Sequence, residues 1–212
     1  MLRHGLVIDA HHSLSQHRTA STLQHHYAMN IIIFGPPGAG KGTQAELIIE
    51  KYSLPHLSTG NLFRAAIKNE TPLGLKIKDL MAAGELVPDQ VTVDLVAEEL
   101  EDSNYDAGCV FDGFPRTVYQ AEELDKLLMA KDRKVDAIIS LEVPEEELVS
   151  RILSRGQGRS DDTEEGIKNR LEVYNSQTAP VLDYYKAHGQ VFEINGVGSI
   201  DDIFGRISEV LD

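Results

Sequence analysis

A glycine-rich stretch, FGPPGAGKGTQ at positions 34–44, places the strongest constraint on how this chain can fold. It continues the β-branched run NIIIF (30–34), and Gly35, Gly40 and Lys41 have the spacing G-x-x-x-x-G-K of a phosphate-binding loop. Glycines let successive N–H groups converge on one anion, and a following helix adds unsatisfied amides and a positive dipole end. The alternative is a glycine-rich turn with an incidental lysine. The pattern favours a strand, an anion-binding loop and a helix in that order.

Strand-like and helix-like segments alternate along the rest of the chain. The first predicted helix runs from Lys41 to Tyr52, with Ala45, Ile48 and Ile49 on one apolar face. Cap and turn signals place the later helices at about 61–69, 71–84, 88–101, 117–130, 144–155, from 163 onward and 200–211. The predicted strands are 30–34, 54–58, 109–112, 135–143 and 190–194. This order predicts an α/β fold of the P-loop NTPase type, a five-stranded parallel sheet with helices on both faces. Such sheets bind ligands beyond the carboxyl ends of their strands.

The composition argues against several classes of protein. A net charge of −14 argues against nucleic-acid binding, so a bound anion must be held by backbone amides, helix ends and a few cations. No apolar run approaches the roughly 20 residues that span a bilayer. The single Cys109 excludes an intramolecular disulfide and a cysteine-based zinc site, and it fits a reducing compartment. We therefore expect one acidic globular domain in the cytoplasm, without a membrane or nucleic-acid partner.

Residues 1–28 differ from the rest of the chain. They contain six of the eight histidines, two arginines and one acid, Asp9, before Met29 opens a strand pattern. A vector-derived or upstream-start extension, an organelle transit peptide and a metal-binding tail are the alternatives. Two arginines are few for a transit peptide, and scattered histidines without a fold rarely make a specific metal site. We expect an appended, disordered segment at 1–28 and a folded domain at 29–212.

Six segments, taken in their order along the chain, resemble those of a known family. They are GPPGAGKGTQ (35–44), LSTGNLFR (57–64), GELV (84–87), FDGFPRTVYQ (111–120), SRILSRGQGRSDD (150–162) and NGVGS (195–199). Together with Arg170 they are similar to the motifs of the adenylate kinase family of nucleoside monophosphate kinases, and the likeness covers essentially all of 29–212. It implies a reversible, Mg²⁺-dependent transfer of a phosphoryl group from ATP to AMP, which gives two ADP. It also implies a monomer with a helical AMP-binding lobe at 58–87 and a short lid at 156–162 that lacks zinc ligands.

The resemblance also implies roles for individual residues. The ATP-binding set is Gly38, Ala39, Gly40, Lys41, Gly42, Thr43, Arg151, Arg155 and Gly198. The AMP-binding set is Thr59, Arg64, Glu85, Leu86, Val87, Gly113, Phe114, Pro115, Arg116, Gln120, Arg159 and Arg170. The catalytic set is Lys41, Asp112, Arg116, Arg155, Arg159 and Arg170. Mg²⁺ is implied to be held by nucleotide phosphates and water, with Thr43 and Asp112 nearby.

The implied reaction explains why an acidic chain carries this many placed cations. Bringing two nucleotides together gathers several phosphates in one space, which requires positive charge and the exclusion of water. Two positions depart from the usual pattern. The hydroxyl comes at Thr43, one residue later than in the general loop motif, and Asn61 stands where the family usually has Asp. We expect Asn61 to have a modest effect on the AMP-binding lobe.

Simpler explanations exist for the residues of the predicted lobe. Ser58 or Thr59 could cap the helix that follows, which is compatible with a binding role. Leu86 and Val87, without the resemblance, would be interpreted as ordinary core residues between helices.

Simpler explanations also exist for three residues outside the lobe. Asp112 could belong to a plain Asp-Gly turn. Gln120 is expected on the same face as Arg116, toward the AMP adenine, but a lone glutamine there would usually be solvated. Arg151 lies four residues after Glu147 and could form an ordinary helical ion pair of small energetic value.

Three other functions stay open at this point. A uridylate/cytidylate kinase would share the glycine loop, the GFPR motif and a short lid, but such relatives typically carry Ala at the position of Thr59 and lack the Gln at 120. A catalytically silent nucleotide-binding module is disfavoured because every charged position is present. A P-loop kinase of a small metabolite would lack an AMP site. The STG motif and Gln120 favour AMP as the acceptor.

Overall fold

The computed structural model describes residues 29–154, 163–187 and 191–212. Its strands are β1 (Met29–Phe34), β2 (His56–Ser58), β3 (Gly108–Asp112), β4 (Ala137–Glu142) and β5 (Val191–Asn195). Its helices are α1 (Lys41–Tyr52), α2 (Thr59–Lys68), α3 (Pro72–Ala82), α4 (Asp89–Glu99), α5 (Val118–Met129), α6 (Glu145–Ser154), α7 (Glu164–Val173), α8 (Pro180–Lys186) and α9 (Ile200–Leu211). The predictions for 1–28, for the lid at 156–162 and for Arg155 and Arg159 lie outside these residues.

The strands form one parallel sheet in the order β2-β3-β1-β4-β5, which confirms the predicted five-stranded parallel sheet. β1 is central and pairs on both sides, so that Ile33 lies level with Asp112 of β3 and with Ile139 of β4. Ser58 at the end of β2 lies level with Asp112 as well. Because the strands are parallel, the glycine loop after β1, the start of α2 and Asp112 meet at one edge of the sheet.

Helices cover both faces of the sheet, which explains why the last four residues of β1, Ile31 to Phe34, are all apolar. Ile31 and Ile33 face one hydrophobic cluster, together with Ile48 of α1. Ile32 and Phe34 face the other cluster. All four β1 residues are at most 3% exposed. A strand buried on both faces has no solvent side, so the alternation of polar residues disappears.

The segment between β2 and α4 folds into a pair of helices with a small core of its own. Phe63 of α2, Ile77 of α3 and Val87 form this third cluster. The two helices pack closely, since a Cβ added at Gly74 would lie 2.1 Å from the carbonyl oxygen of Ala66. We call α2, α3 and residues 83–87 the helical lobe.

The helix predicted from Thr163 onward is divided in the structure. Thr163 caps α7 as expected, and its Oγ1 accepts from the Gly166 N–H at 3.1 Å. α7 is followed by a π-helical turn over Tyr174–Thr178, and α8 begins at Pro180. Proline has no N–H to continue the α-helical ladder, so the chain widens in the turn before it. Tyr174, the first residue of that turn, has its ring centroid 5.9 Å from the ring centroid of Phe34.

None of the helices within the described ranges combines the length and the apolar character that crossing a bilayer requires.

Candidate active site

The glycine loop, residues 35–40, connects β1 to α1. Gly38 has a φ of +86°, and a Cβ there would lie 2.7 Å from the carbonyl oxygen of Leu148, so another residue would be strained and would clash. Gly40 takes the left-handed conformation at the N-cap of α1, where no side chain caps the helix. Without a capping side chain, the first turn of α1 keeps its amides for an anion.

Lys41 lies over this loop. Its Nζ donates to the carbonyl oxygens of Gly35 at 2.7 Å and Pro36 at 3.0 Å. Gly42 and Thr43 beside it are exposed. A phosphate bound in the loop would offer Lys41 a charged acceptor, and hydrogen bonds between charged groups are stronger than those to neutral carbonyls.

Asp112 is the last residue of β3. Ser58 Oγ donates to Asp112 Oδ2 at 3.3 Å, and His56 Nε2 lies 3.5 Å from the same oxygen. Burial by itself raises the pKa of Asp112, but the contact with His56 and the charges of Lys41 and Arg116 outweigh it and lower this pKa below its usual value. The sheet edge therefore carries an ionised carboxylate beside the cations.

Three clefts open along this edge of the sheet. The largest, the loop cleft, is lined by the glycine loop, Thr43 and Asp112. The second, the lobe cleft, is lined by the helical lobe and the start of α5. The smallest, the inner cleft, is lined by Lys41, Phe114, Pro115, Tyr174 and Thr178, among others. Gly113, Arg116 and Arg170 line all three, which makes them compartments of one site.

Four of the predicted cations surround this site. Lys41 lines the loop and inner clefts, and Arg64 lines the loop and lobe clefts. Arg116 and Arg170 line every cleft. Gly84 permits the approach of Arg170, since a Cβ at Gly84 would lie 2.8 Å from Arg170 Cγ. Arg64 Nη2 donates to Asn61 Oδ1 at 2.6 Å, so Asn61 orients Arg64 without adding a charge.

The lobe cleft brings together most of the residues predicted to bind AMP. These are Thr59, Arg64, Glu85, Leu86, Val87, Gly113, Arg116, Gln120 and Arg170. Phe114 and Pro115 line the inner cleft instead. Val87 also belongs to the core of the lobe, so its core interpretation and its position at the cleft are both correct.

The helix-capping explanation for Ser58 and Thr59 is wrong in this structure. Ser58 stands at the N-cap of α2, but its side chain makes no capping hydrogen bond. Thr59 Oγ1 donates instead to the carbonyl oxygen of Gly113 at 2.9 Å. This bond joins the start of the lobe to the turn after β3, because the two strands that precede them are neighbours in the sheet.

The expectation that a lone Gln120 would be solvated is also wrong. The residue is 1% exposed. Its Oε1 accepts from the backbone N–H of Arg116 at 2.7 Å, and its Nε2 donates to Asp89 Oδ1 at 2.8 Å. The helical packing of α5 against α4 buries the amide, which a pattern within α5 alone does not indicate.

Arg151 contacts the glycine loop, and neither Arg151 nor Gly198 lines any of these three clefts. Arg151 pairs with Glu147, with Nε donating at 3.0 Å, as the four-residue spacing suggests. Its Nη2 also donates to the carbonyl oxygen of Gly196 at 2.9 Å, and its Nη1 donates to that of Ala39 at 3.4 Å. Arg151 is therefore more than a surface ion pair, because it ties α6 to the glycine loop and to the loop after β5.

Several residues at the site were not anticipated from the sequence. His56 and Ser58 contact Asp112 because β2 lies beside β3, and the sequence pattern does not give that order of strands. Asp89 contacts Gln120 across 31 residues of chain, and no local pattern points to it.

Comparison with known proteins agrees with this geometry. A family model described as "Adenylate kinase" matches residues 33–190. An adenylate kinase of Flavobacterium psychrophilum is 51% identical over 187 residues, which cover 87% of this chain and 98% of that protein. An adenylate kinase of Parabacteroides distasonis is 50% identical over 186 residues, with the same coverage of 87% and 98%. An adenylate kinase of Leptospira biflexa is 49% identical over 179 residues, which cover 84% and 96%.

The predicted family, fold and enzyme class are thereby confirmed. The family model spans most of the chain and includes the glycine loop, the helical lobe and Arg170. The relatives match from end to end rather than over one motif. The chain belongs to the adenylate kinase family and is a nucleoside monophosphate kinase.

Proposed function

We propose that the glycine loop and its flanks hold ATP, that the lobe cleft holds AMP, and that a phosphoryl group passes between them to give two ADP. The observation that supports this arrangement is the position of Arg116 and Arg170, which line both the loop cleft and the lobe cleft. Lys41 stands on the side of the loop and Arg64 on the side of the lobe. Phosphates entering from the two sides would meet among these cations.

On the ATP side, the backbone amides of residues 38–43 and the ammonium of Lys41 bind the phosphates in this proposal. Arg151 and Gly198 border the base, and the contact of Arg151 with Ala39 and Gly196 supports a role at that boundary. Arg155 belongs to the same predicted set but lies outside the described residues.

On the AMP side, Arg64 binds the phosphate and exchanges its bond to Asn61 for a charged one. Thr59, Leu86, Val87 and Gln120 face the base. Because the helical lobe supplies most of these groups and has a core of its own, we propose that residues 58–87 act as the AMP-binding lobe.

The transfer requires positioning and positive charge more than proton chemistry. A phosphate oxygen of AMP is already a competent nucleophile, so no side chain needs to act as a base. Lys41, Arg116 and Arg170 would neutralise charge that spreads over the oxygens of the transferred group. The walls of the inner cleft, which include Phe114 and Tyr174, would limit access of water to the same place.

The residues present also fit Mg²⁺ bound together with ATP. Within the described ranges, no group of three or more His, Cys, Asp or Glu side chains is arranged to hold a metal ion. Mg²⁺ on a nucleotide keeps phosphate and water ligands and needs only one or two protein oxygens. Asp112 and Thr43 both line the loop cleft and would hold the ion or its waters. The ion would supply additional positive charge for the phosphates.

The test measures ADP formation with MgATP and AMP, CMP or UMP, in the wild type and in Arg116→Ala. We expect AMP to be the best acceptor. Loss of one such cation costs on the order of 10²- to 10³-fold in kcat, whereas Tm stays close to the wild-type value because Arg116 is exposed. Lys126→Ala is the control, since Lys126 is an exposed cation of α5 paired with Glu123.

Two results would overturn this proposal. Faster turnover of CMP or UMP than of AMP would make the chain a pyrimidine nucleotide kinase. Near-normal turnover in Arg116→Ala would remove Arg116 from the reaction.

A further inference from the structure

Asp89 and Gln120 form a part-buried contact between the first turns of α4 and α5. Asp89 Oδ1 accepts two hydrogen bonds, from Gln120 Nε2 at 2.8 Å and from Thr117 Oγ1 at 3.1 Å. Gln120 Oε1 accepts from the backbone N–H of Arg116 at 2.7 Å. The amide nitrogen of Gln120 thus faces a carboxylate, which can only accept a hydrogen bond. The amide oxygen faces a backbone N–H, which can only donate one.

These two contacts determine which way the amide faces. Turned over, Gln120 would place its NH₂ against the N–H of Arg116 and its oxygen against Asp89 Oδ1. Two hydrogen bonds would be lost. Two donors would then face each other at Arg116, and two acceptors would face each other at Asp89. The side chain is 1% exposed, so water cannot compensate for either loss.

The amide still has capacity for a ligand in the lobe cleft, which it lines. After the contacts above, the oxygen keeps one lone pair and the nitrogen keeps one hydrogen. A 6-aminopurine presents a donor at position 6 beside a ring nitrogen that accepts, which matches this pair. A 6-oxopurine presents an acceptor at position 6 and would require the amide to turn over.

We propose that Asp89 is a positioning residue that holds the Gln120 amide in one orientation and thereby selects a 6-aminopurine over a 6-oxopurine. This inference rests on the proposed function, in which Gln120 faces the base of AMP. Asp89 itself does not line the lobe cleft, so it acts through Gln120. Base selection then depends on the packing of α4 against α5 as well as on groups that touch the nucleotide.

The experiment compares kcat/KM for AMP and for inosine monophosphate, its 6-oxo counterpart, in the wild type, Asp89→Asn and Asp89→Ala. Asn at this position can donate to a turned-over Gln120, so we expect the AMP:IMP ratio to fall by about tenfold or more. Asp89→Ala removes the acceptor for Gln120 Nε2 but leaves the hydrogen bond from the Arg116 N–H, so the AMP:IMP ratio falls less than in Asp89→Asn. Asp94→Asn is the matched control, because Asp94 is an exposed residue of α4 bonded to Gln90. It should keep the wild-type ratio.

A merely structural role of Asp89 predicts a different pattern. It would lower kcat/KM for both acceptors by the same factor and make Ala more damaging than Asn. That pattern, or a ratio within about twofold of the wild type in both variants, overturns the proposal. Thermal melting of each variant shows whether it is folded. If Asp89→Asn does not fold, the ratio in Asp89→Ala decides alone, and an unchanged ratio counts against us.

Gln120→Ala separates this inference from the function on which it rests. If the KM for AMP is unchanged in Gln120→Ala, the base contact itself is wrong and the proposal for Asp89 falls with it. If that KM rises while the Asp89 variants keep the wild-type ratio, AMP binding by Gln120 stands and only the positioning role of Asp89 is wrong.

Discussion

The sheet and the helical lobe, which together supply the site, differ in the size of the buried core that supports them. Ile31, Ile32 and Ile33 of β1 are at most 2% exposed and lie between two paired strands and two layers of helices. The core of the lobe consists of Phe63, Ile77 and Val87, with partly buried neighbours around it. The glycine loop therefore follows a strand that is buried on both faces, whereas the predicted AMP site is built largely on a small helical pair.

The difference suits the ligand that we propose for each region. A nest of amides works only while its N–H groups stay convergent, so it needs a rigid support. A base and its phosphate must enter, be covered and leave, which is easier where local opening costs little free energy. We infer that the lobe opens at a lower free energy than the sheet.

The largest effect on activity is expected at the glycine loop, which the sheet supports. Lys41→Ala removes the ammonium over the glycine loop and should lower kcat on the order of 10³-fold, while Tm changes little because the loop backbone is retained. Lys51→Ala in the same helix is the control, since Lys51 pairs with Asp212 away from the clefts. Near-normal turnover in Lys41→Ala would mean that the loop does not bind the reacting phosphates.

A matched pair of cavity-forming substitutions tests the difference in stability. Ile138 of β4 is 1% exposed and Ile77 of α3 is 3% exposed, so Ile→Ala removes the same atoms at equal burial. Each change costs about 2–5 kcal/mol where it acts. We expect Ile138→Ala to destabilise the whole domain and Ile77→Ala to accelerate hydrogen exchange chiefly in α2 and α3.

The rate at which Cys109, the single cysteine of the chain, is alkylated gives an independent test of the difference in stability between sheet and lobe. It lies in β3 with no exposed surface, and burial raises the pKa of its thiol to about 12, against which the nearby charge of Arg133 acts only in part. Alkylation therefore requires the sheet to open. Ile138→Ala should accelerate alkylation by orders of magnitude, and Ile77→Ala should leave it almost unchanged. Equal acceleration in both variants would show that lobe and sheet unfold as one unit.

The smallest effect on activity is expected at Asn61, in the first turn of α2. In Asn61→Asp the carboxylate would hold Arg64 more firmly, and Arg64 must leave it to bind the AMP phosphate. Exposed ion pairs are worth about 0.2–1 kcal/mol, so the KM for AMP should rise by no more than about fivefold, with little change in kcat. Asn69→Asp adds the same charge at the other end of α2 and serves as the control. A lower KM in Asn61→Asp would contradict this reasoning.

Most elements of the fold could be predicted because their signals are local. The apolar run before Gly35, the cap at Thr117 and the stop at Gly84 each bound an element as the structure has it. The division between α7 and α8 was missed, although Pro180 was a signal for it. At the site, Lys41, Arg64, Arg116 and Arg170 were predicted through motifs and do converge.

The sequence by itself determined where the glycine loop lies, which helix follows it and which cations are available. These depend on backbone conformations that only glycine adopts easily and on apolar periodicity, both properties of adjacent residues. Only the tertiary structure decided that His56 meets Asp112 and that Asp89 orients Gln120. Those contacts join residues dozens of positions apart, and the parallel order of the sheet and the packing of α4 on α5 bring them together.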